Sequence, residues 1–200
     1  MDARVSAVVL AGGRARRMGG EDKGLVALAG QPMIAHVLAA ITPQVQAVAI
    51  NANRNAAAYR RLGPTVLADP LADFQGPLAG MAAGLDWCPT PLLATLPCDG
   101  PLIPTDYIAR LADSLGDGDM AVAHDGDRLQ PVHALLRREC LPSLRDFLAG
   151  GGRKIDRWYA ACDMRRADFS DARACFENIN TPEQQAAMNT RLQGQPEQAP

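Results

Sequence analysis

An apolar run from Val5 to Ala11 ends at Gly12-Gly13, and the loop beyond it constrains the chain more than any other stretch. Between Gly12 and Lys23 lie four glycines, three arginines and one lysine. The run reads as a buried strand. The glycines remove Cβ atoms, so the backbone can turn sharply and bring its N–H groups close to a ligand. The cations place positive charge at the same point. A loop of this kind after a first strand suits a polyphosphate. A dinucleotide fingerprint would need G-x-G-x-x-G and an acidic residue about 20 positions on, and the paired glycines here have the wrong spacing. A P-loop would need Gly-Lys-Ser/Thr, but Lys23 is preceded by Asp22 and followed by Gly24.

The rest of the first half alternates strand and helix. Residues 24–28 read as a short strand and Gly30-Gln31-Pro32 as a turn, with Pro32 suited to the first turn of a helix. Met33, Ile34, Val37, Leu38 and Ile41 come next at helical spacing. Residues 47–51 form a second strand, 56–62 a helix stopped by Gly63-Pro64, and 65–68 a third strand ending at Asp69-Pro70. Leu78, Met81, Ala82 and Leu85 mark a further helix. The apolar run 92–96 is a fourth strand that delivers Pro97-Cys98-Asp99-Gly100-Pro101, and Tyr107, Ile108 and Leu111 mark the helix after it. Such an order argues for an α/β fold, a mostly parallel sheet with helices on both faces. The C-terminal half is less regular. A strand at 120–123 turns at Asp125-Gly126-Asp127 and returns through 129–136. Helices are expected over 140–148 and 154–161, a short strand over 164–169, and a last helix begun by Thr181 as cap and Pro182.

In an open parallel sheet, ligands bind outside the carboxyl ends of the strands. The strands here end at Gly12-Gly13, Asn51, Asp69 and Asp99. A phosphate-type loop, an amide and two carboxylates therefore converge. A carboxylate at Asp99 facing a phosphate loop would repel phosphate unless a cation lay between them, and Mg²⁺ takes one or two carboxylates with phosphate oxygens and water. Equally, Asp99 can cap the turn before Pro101, and Asp69 the turn at Pro70. Asn51 can cap the segment after it. Lys23 is either a solvated lysine or the cation at the end of the loop. Adjacent side chains diverge, so Arg14, Arg16 and Arg17 cannot all face one ligand, and Arg17 is favoured. His36, His124 and His133 form no set, and Cys98 reads as a small buried thiol.

Composition narrows the partners. With 200 residues and a formal net charge of −2, the chain is long enough for one substantial core and lacks the global basic character that points to nucleic acid or anionic membrane. The odd count of five cysteines, with no C-x-x-C pair, speaks for reduced thiols rather than a disulfide or zinc framework. No signal-peptide pattern or bilayer-length apolar run is present, so a cytoplasmic protein is expected. A monomer is expected as well.

The string Leu-Ala-Gly-Gly through Arg17-Met18-Gly19 to Lys23 resembles the signature loop of the sugar-nucleotide-type nucleotidyltransferases. Asn51-Ala52-Asn53-Arg54, Leu67-Ala68-Asp69, Gly76-Pro77-Leu78-Ala79-Gly80-Met81, Pro97-Cys98-Asp99-Gly100-Pro101 and Asn178-Ile179-Asn180-Thr181-Pro182-Glu183 come after it in that order. Together they resemble the molybdenum cofactor guanylyltransferases, which attach GMP to molybdopterin. The resemblance implies a single three-layer, Rossmann-like nucleotidyltransferase domain over residues 1–192. Its nucleotide-binding half would span about 1–115, its acceptor-binding half about 116–192, with 193–200 as a disordered tail. Leu10, Ala11, Gly12 and Gly13 would contact the guanine nucleotide, and Lys23 its phosphates. Asn51 and Asp69 would hold the nucleoside, Asp99 would ligate Mg²⁺, and Asn180 would face molybdopterin. Gln130, where some members carry His, receives no role.

The implied reaction joins the terminal phosphate of molybdenum-molybdopterin to the α-phosphorus of GTP and releases pyrophosphate. Lys23, Arg17 and Asp99 are its expected catalytic residues. Transfer from CTP to molybdopterin, or from a nucleotide to a sugar or alditol phosphate, stays open. So does a non-catalytic GTP-binding role in molybdoenzyme maturation. The implied partners are these small molecules, with molybdenum-insertion and maturation proteins as further candidates.

Overall fold

The computed structural model describes residues 2–12, 22–69 and 76–194. Gly13, Arg14, Arg16 and Arg17 lie outside the described residues, as do residues 70–75 and 195–200. The elements are β1 (Asp2–Leu10), β2 (Ala27–Leu28), β3 (Gln31–Pro32), α1 (Met33–Ile41), β4 (Val45–Asn51), α2 (Ala56–Arg60), β5 (Thr65–Leu67), α3 (Pro77–Trp87), β6 (Leu92–Pro97), α4 (Tyr107–Leu115), β7 (Met120–His124), β8 (Leu129–Arg137), α5 (Leu141–Ala149), α6 (Ile155–Tyr159), β9 (Met164–Asp168) and α7 (Pro182–Gln193).

Seven strands form one sheet in the order β5-β4-β1-β6-β8-β7-β9. Neighbours pair in parallel except where β8 meets β6 and β7. The sheet is therefore mostly parallel, with β8 returning from the tight turn at Asp125-Gly126-Asp127. There Asp125 Oδ1 accepts from the Asp127 and Arg128 N–H groups, each at 2.8 Å.

Alternation along the strands splits the core into two layers. Val5, Ala7 and Val9 of β1 pack with α1 and α4 on one face, while Val8 and Leu10 pack with α3, α5 and Trp158 of α6 on the other. Both faces are covered, which is why β1 and β6 read as almost unbroken apolar runs. A third, smaller cluster joins Leu28, Met33, Ile179 and Met188, and so docks α7 on the β2–β3 hairpin. α7 starts with a reciprocal capping box between Thr181 and Gln184.

Three local expectations change. Residues 23–25 wind into a 3₁₀ turn rather than a strand, because Asp22 and Lys23 carbonyls accept from the Leu25 and Val26 N–H groups at 2.9 and 3.3 Å. Pro32 precedes α1 as its cap and pairs in β3 with Ala27. α2 also ends at Arg60, short of Leu62.

Candidate functional site

The register of the parallel strands puts four chain ends in one row. Leu67 of β5 pairs with Asn51 of β4, Asn51 with Leu10 of β1, and Leu10 with Pro97 of β6. Backbone hydrogen bonds continue one residue past the row: Ala52 N–H donates to Leu67 O at 2.8 Å, Ala11 N–H to Asn51 O at 2.8 Å, and Cys98 N–H to Leu10 O at 3.1 Å. Gly12, Asn53, Asp69 and Asp99 therefore emerge at one edge, the carboxyl end of the sheet. The four strand ends singled out in the sequence are neighbours in space.

The β4–β5 side of this edge is a locked amide–carboxylate set. Asn51 is 2% exposed. Its Nδ2 donates to Asp69 Oδ1 at 2.9 Å and to Leu67 O at 3.4 Å. Asn53 Nδ2 donates to Asp69 Oδ2 at 2.5 Å, and Asn53 Oδ1 accepts from the Asp69 N–H at 2.8 Å. A pure acceptor thus fixes both amides. Asn51 Oδ1 is left facing Gly12 and Gly80, where there is no room for side chains: a Cβ on Gly12 would lie 3.3 Å from this oxygen, and one on Gly80 closer still. Gly80 belongs to α3, so the helix can approach the strand ends only because that position lacks a Cβ.

On the other side of β1, Lys23 reaches across the edge. Its Nζ donates to Asp99 Oδ2 and, at 2.6 Å, to Asn180 Oδ1. The side chains of Lys23 and Asp99 are 21% and 15% exposed. Lys23 and Asp99 therefore form an ion pair at this edge. Asn180 is held in turn: Gln184 Oε1 accepts from its N–H at 2.7 Å, and the Ile179 N–H donates to Asp99 O at 3.1 Å. Three parts of the chain, around Lys23, Asp99 and Asn180, meet within hydrogen-bond distance.

Asp99 Oδ1 is buried and has no hydrogen-bond partner among the described residues. A buried carboxylate oxygen without a partner is costly, and a divalent cation would satisfy it. Among the described residues no group of three or more His, Cys, Asp and Glu side chains could hold a metal. The donor set thus fits Mg²⁺, whose shell is completed by phosphate oxygens and water, and not an ion caged by the protein alone.

Other titratable groups are accounted for elsewhere. His133 is buried, its Nδ1 is 3.1 Å from Tyr107 Oη, and its ring stands edge-on to Phe176; burial pushes its pKa down to about 3. His36 Nε2 is 2.8 Å from Leu28 O. His124 Nδ1 accepts from the Gly126 N–H at 3.0 Å. None is free to act as a base at the strand ends. Burial, first, and then the Asp99 charge push the Cys98 thiol well up, away from a nucleophilic thiolate. Gln130 Nε2 donates to Asp125 Oδ2 at 2.7 Å and belongs to the hairpin turn.

Asn53, Asp22 and Tyr59 take no role from the sequence. Asn53 shares a string with Asn51, and the two-residue spacing is its only signal. Asp22 Oδ1 accepts from the Tyr59 hydroxyl and its Oδ2 from Asn55 Nδ2 at 3.0 Å, a pairing over more than thirty positions that no motif announces. Beside Asn180 a groove of about 650 Å³ is lined by Arg128, Phe176, Asn178, Met188 and Arg191. No helix among the described residues is long and apolar enough to cross a membrane.

Comparison with known proteins shows the family and the fold. Residues 7–167 match the MobA-like NTP transferase domain. Molybdenum cofactor guanylyltransferase from Vibrio cholerae is 47% identical over 180 residues, covering 90% of this chain and 88% of that protein. The protein of the same name from Shewanella amazonensis is 47% identical over 194 residues, covering 96% and 99%. The crystal structure of molybdopterin-guanine dinucleotide biosynthesis protein A from Archaeoglobus fulgidus superposes with a TM-score of 0.78 at 20% identity, over 95% of this chain and 100% of that one. A nucleotidyltransferase fold, a family model spanning most of the chain and near-full-length relatives at this identity lead to one conclusion: the chain belongs to the molybdenum cofactor guanylyltransferase family of MobA-like NTP transferases.

Proposed function

We propose that this nucleotidyltransferase transfers GMP from GTP to the terminal phosphate of molybdopterin and releases pyrophosphate. The observation that carries the reading is the meeting of Lys23, Asp99 and Asn180 beside the Asn51–Asp69 pair at one edge of the sheet. On this reading Leu10, Ala11 and Gly12 lie along the nucleotide, with Gly13 in the same loop. Asn51 and Asp69 hold the nucleoside, Lys23 binds phosphate, and Asn180 with the adjoining groove receives the acceptor. Residues 1–115 supply the nucleotide half and 116–192 the acceptor half. Arg17 adds a second phosphate contact. The enzyme acts as a cytoplasmic monomer.

The chemistry asks little of a base. A phosphate monoester has its second pKa near 6 and is already largely anionic at pH 7, so the nucleophile needs no deprotonation, in keeping with histidines engaged elsewhere. What the protein must do is align two anions and neutralise charge as it develops. Lys23 exchanges its bonds to Asp99 and Asn180 for phosphate oxygens, which carries the ammonium to the developing charge. Asn180 Oδ1 is then free to accept a hydrogen bond from the acceptor. Asp99 would hold Mg²⁺ through Oδ1, and the bound ion supplies Lewis-acid stabilisation of phosphate charge. The test is pyrophosphate release in the presence of molybdopterin with GTP, CTP, UTP or ATP, each with and without Mg²⁺. Release with GTP and Mg²⁺ is expected; release with another nucleotide alone would overturn the reading.

A further inference from the structure

Lys23 owes its position to a buried contact on the far side of its own turn. Asp22 opens the 3₁₀ turn Lys23–Leu25, with its carbonyl accepting from the Leu25 N–H at 2.9 Å. Both oxygens of its carboxylate are taken: Oδ1 by the hydroxyl of Tyr59, and Oδ2 by Asn55 Nδ2 at 3.0 Å. Tyr59 lies on α2 and is fully buried. Burial pushes its phenol far above the usual range, so the group is a constant O–H donor. Gly24 completes the fit, since a Cβ there would lie 2.6 Å from Tyr59 Oη and 3.4 Å from Cys98 Sγ. The two residues flanking Lys23 are therefore keyed to one phenol. Asp22 bonds to it, Gly24 packs on it, and Lys23 between them points the opposite way, onto Asp99 and Asn180.

A lysine side chain has four rotatable carbons and loses much entropy when its ammonium is fixed. The cost is lower if the backbone that carries it is already immobile. α2 is tied to the strand-end row through Asn51 to Asn53, so the phenol connects the nucleoside side of the edge to the lysine on the other.

We propose that Tyr59 is a positioning residue for Lys23, acting through Asp22: its hydroxyl holds the Asp22–Gly24 turn so that the ammonium stands at the strand ends before any substrate arrives. The kinetic part of this inference rests on the phosphate role given to Lys23 above; the positional part does not.

The sequence offers a direct probe, because Lys23 and Lys154 are the only lysines. Acetic anhydride labelling followed by peptide mass spectrometry reads the accessibility of the Lys23 amine, with exposed Lys154 as the internal standard. Tyr59→Phe removes one oxygen and keeps the ring. Its Lys23-to-Lys154 labelling ratio should rise several-fold. Asn55→Gly, which removes the second Asp22 contact at an exposed site where φ is +51°, should raise the ratio in the same direction, and it serves if Tyr59→Phe fails to fold. In steady-state kinetics at saturating acceptor, Tyr59→Phe should lower kcat/KM for GTP roughly ten-fold, the order expected for one charge-assisted hydrogen bond. The same substitution should change nothing further in a Lys23→Ala background. A raised labelling ratio with unchanged kcat/KM would uphold the positioning and reject the phosphate role of Lys23. An unchanged ratio in both variants, or a Tyr59→Phe effect that multiplies fully with Lys23→Ala, would overturn the proposal.

Discussion

The packing of α3 against the strand ends makes Gly80→Ala the sharpest perturbation of the Asn51–Asp69 set. A Cβ at this position would stand 2.9 Å from Leu10 Cδ2, 3.0 Å from Asn51 Cγ and nearer still to Asn51 Oδ1. Neither neighbour can yield easily. Leu10 is 9% and Asn51 2% exposed, and the Asn51 amide is pinned by Asp69 and Leu67. Alanine gains about 1 kcal/mol over glycine as a helix former, against an overpacking cost of about 1–3 kcal/mol. Helix propensity and packing together therefore cost only about 0–2 kcal/mol, or a fall in Tm of up to roughly 8 °C for a chain of this size. Turning the Asn51 amide also breaks a bond to a carboxylate that adds about 1.5–3 kcal/mol to the stability cost, and on the nucleoside role proposed above the turned amide should lower GTP affinity about ten-fold or more. Gly84→Ala is the control. Its Cβ would meet Val8 Cγ1 at 2.7 Å and Leu93 Cδ2 at 2.9 Å, so it strains the same helix but touches no site residue. Calorimetric titration with GTP and thermal unfolding should show both variants destabilised and only Gly80→Ala impaired in binding. Wild-type GTP affinity in Gly80→Ala, or an equal loss in both, would refute the argument that Asn51 is set by the missing Cβ.

Asp99→Ala should keep the fold, leave Lys23 bonded to Asn180 and abolish Mg²⁺-dependent pyrophosphate release; turnover near that of the wild type would remove Asp99 from the metal. Lys23→Ala should weaken GTP binding ten-fold or more in calorimetry, and unchanged affinity would count against its phosphate role. His133 makes stability depend on acid. Its folded pKa, near 3, lies below the usual 6.5, so protons favour the unfolded chain. The stabilisation is complete above pH 6.5 and is lost at about 1.4 kcal/mol per pH unit as pH falls toward 3. Urea unfolding of wild type and His133→Gln at pH 7 and pH 5 should show the variant losing less between the two, and parallel losses would place the acid sensitivity elsewhere.

Much of this arrangement is legible in the chain because it obeys local rules. The apolar run into Gly12, the helical spacing through α1, and the cap at Thr181 each express their structure within a few residues. The convergence of Asn51, Asp69 and Asp99 is legible too, because parallel strands emerge at one edge whatever their order. What stays hidden depends on pairings between distant segments. Nothing around Asp99 tells that Lys23 rather than a bare cleft faces it, or that Asn180, separated from Lys23 by most of the chain, takes the other bond of the same ammonium. The 3₁₀ turn at 23–25 is hidden for the same reason. Its residues suit a strand, and the space over Gly24 is filled by Tyr59, far along the chain. A lone tyrosine among alanines in α2 carries no signal for that.

The register of the sheet joins these hidden pairings to the visible ones. Because Leu67, Asn51, Leu10 and Pro97 stand in one row, each residue just beyond the row can bond sideways only to the chain beside it. On the β4–β5 side the outcome is a closed set, Asn51 and Asn53 on Asp69, with each carboxylate oxygen filled. On the β1–β6 side it is an open one. Lys23 fills one oxygen of Asp99, and the other has no partner among the described residues. On the function proposed above, each side would do a different thing. A site that holds a neutral nucleoside gains from rigid, fully paired groups, because nothing has to move when the ligand enters. A site that moves charge between two phosphates gains from a cation and a carboxylate that already neutralise each other and can exchange partners when phosphate arrives. On that reading the unfilled oxygen of Asp99 suits the second kind of site, whereas a purely structural turn at Pro101 gives no reason to bury it unpaired.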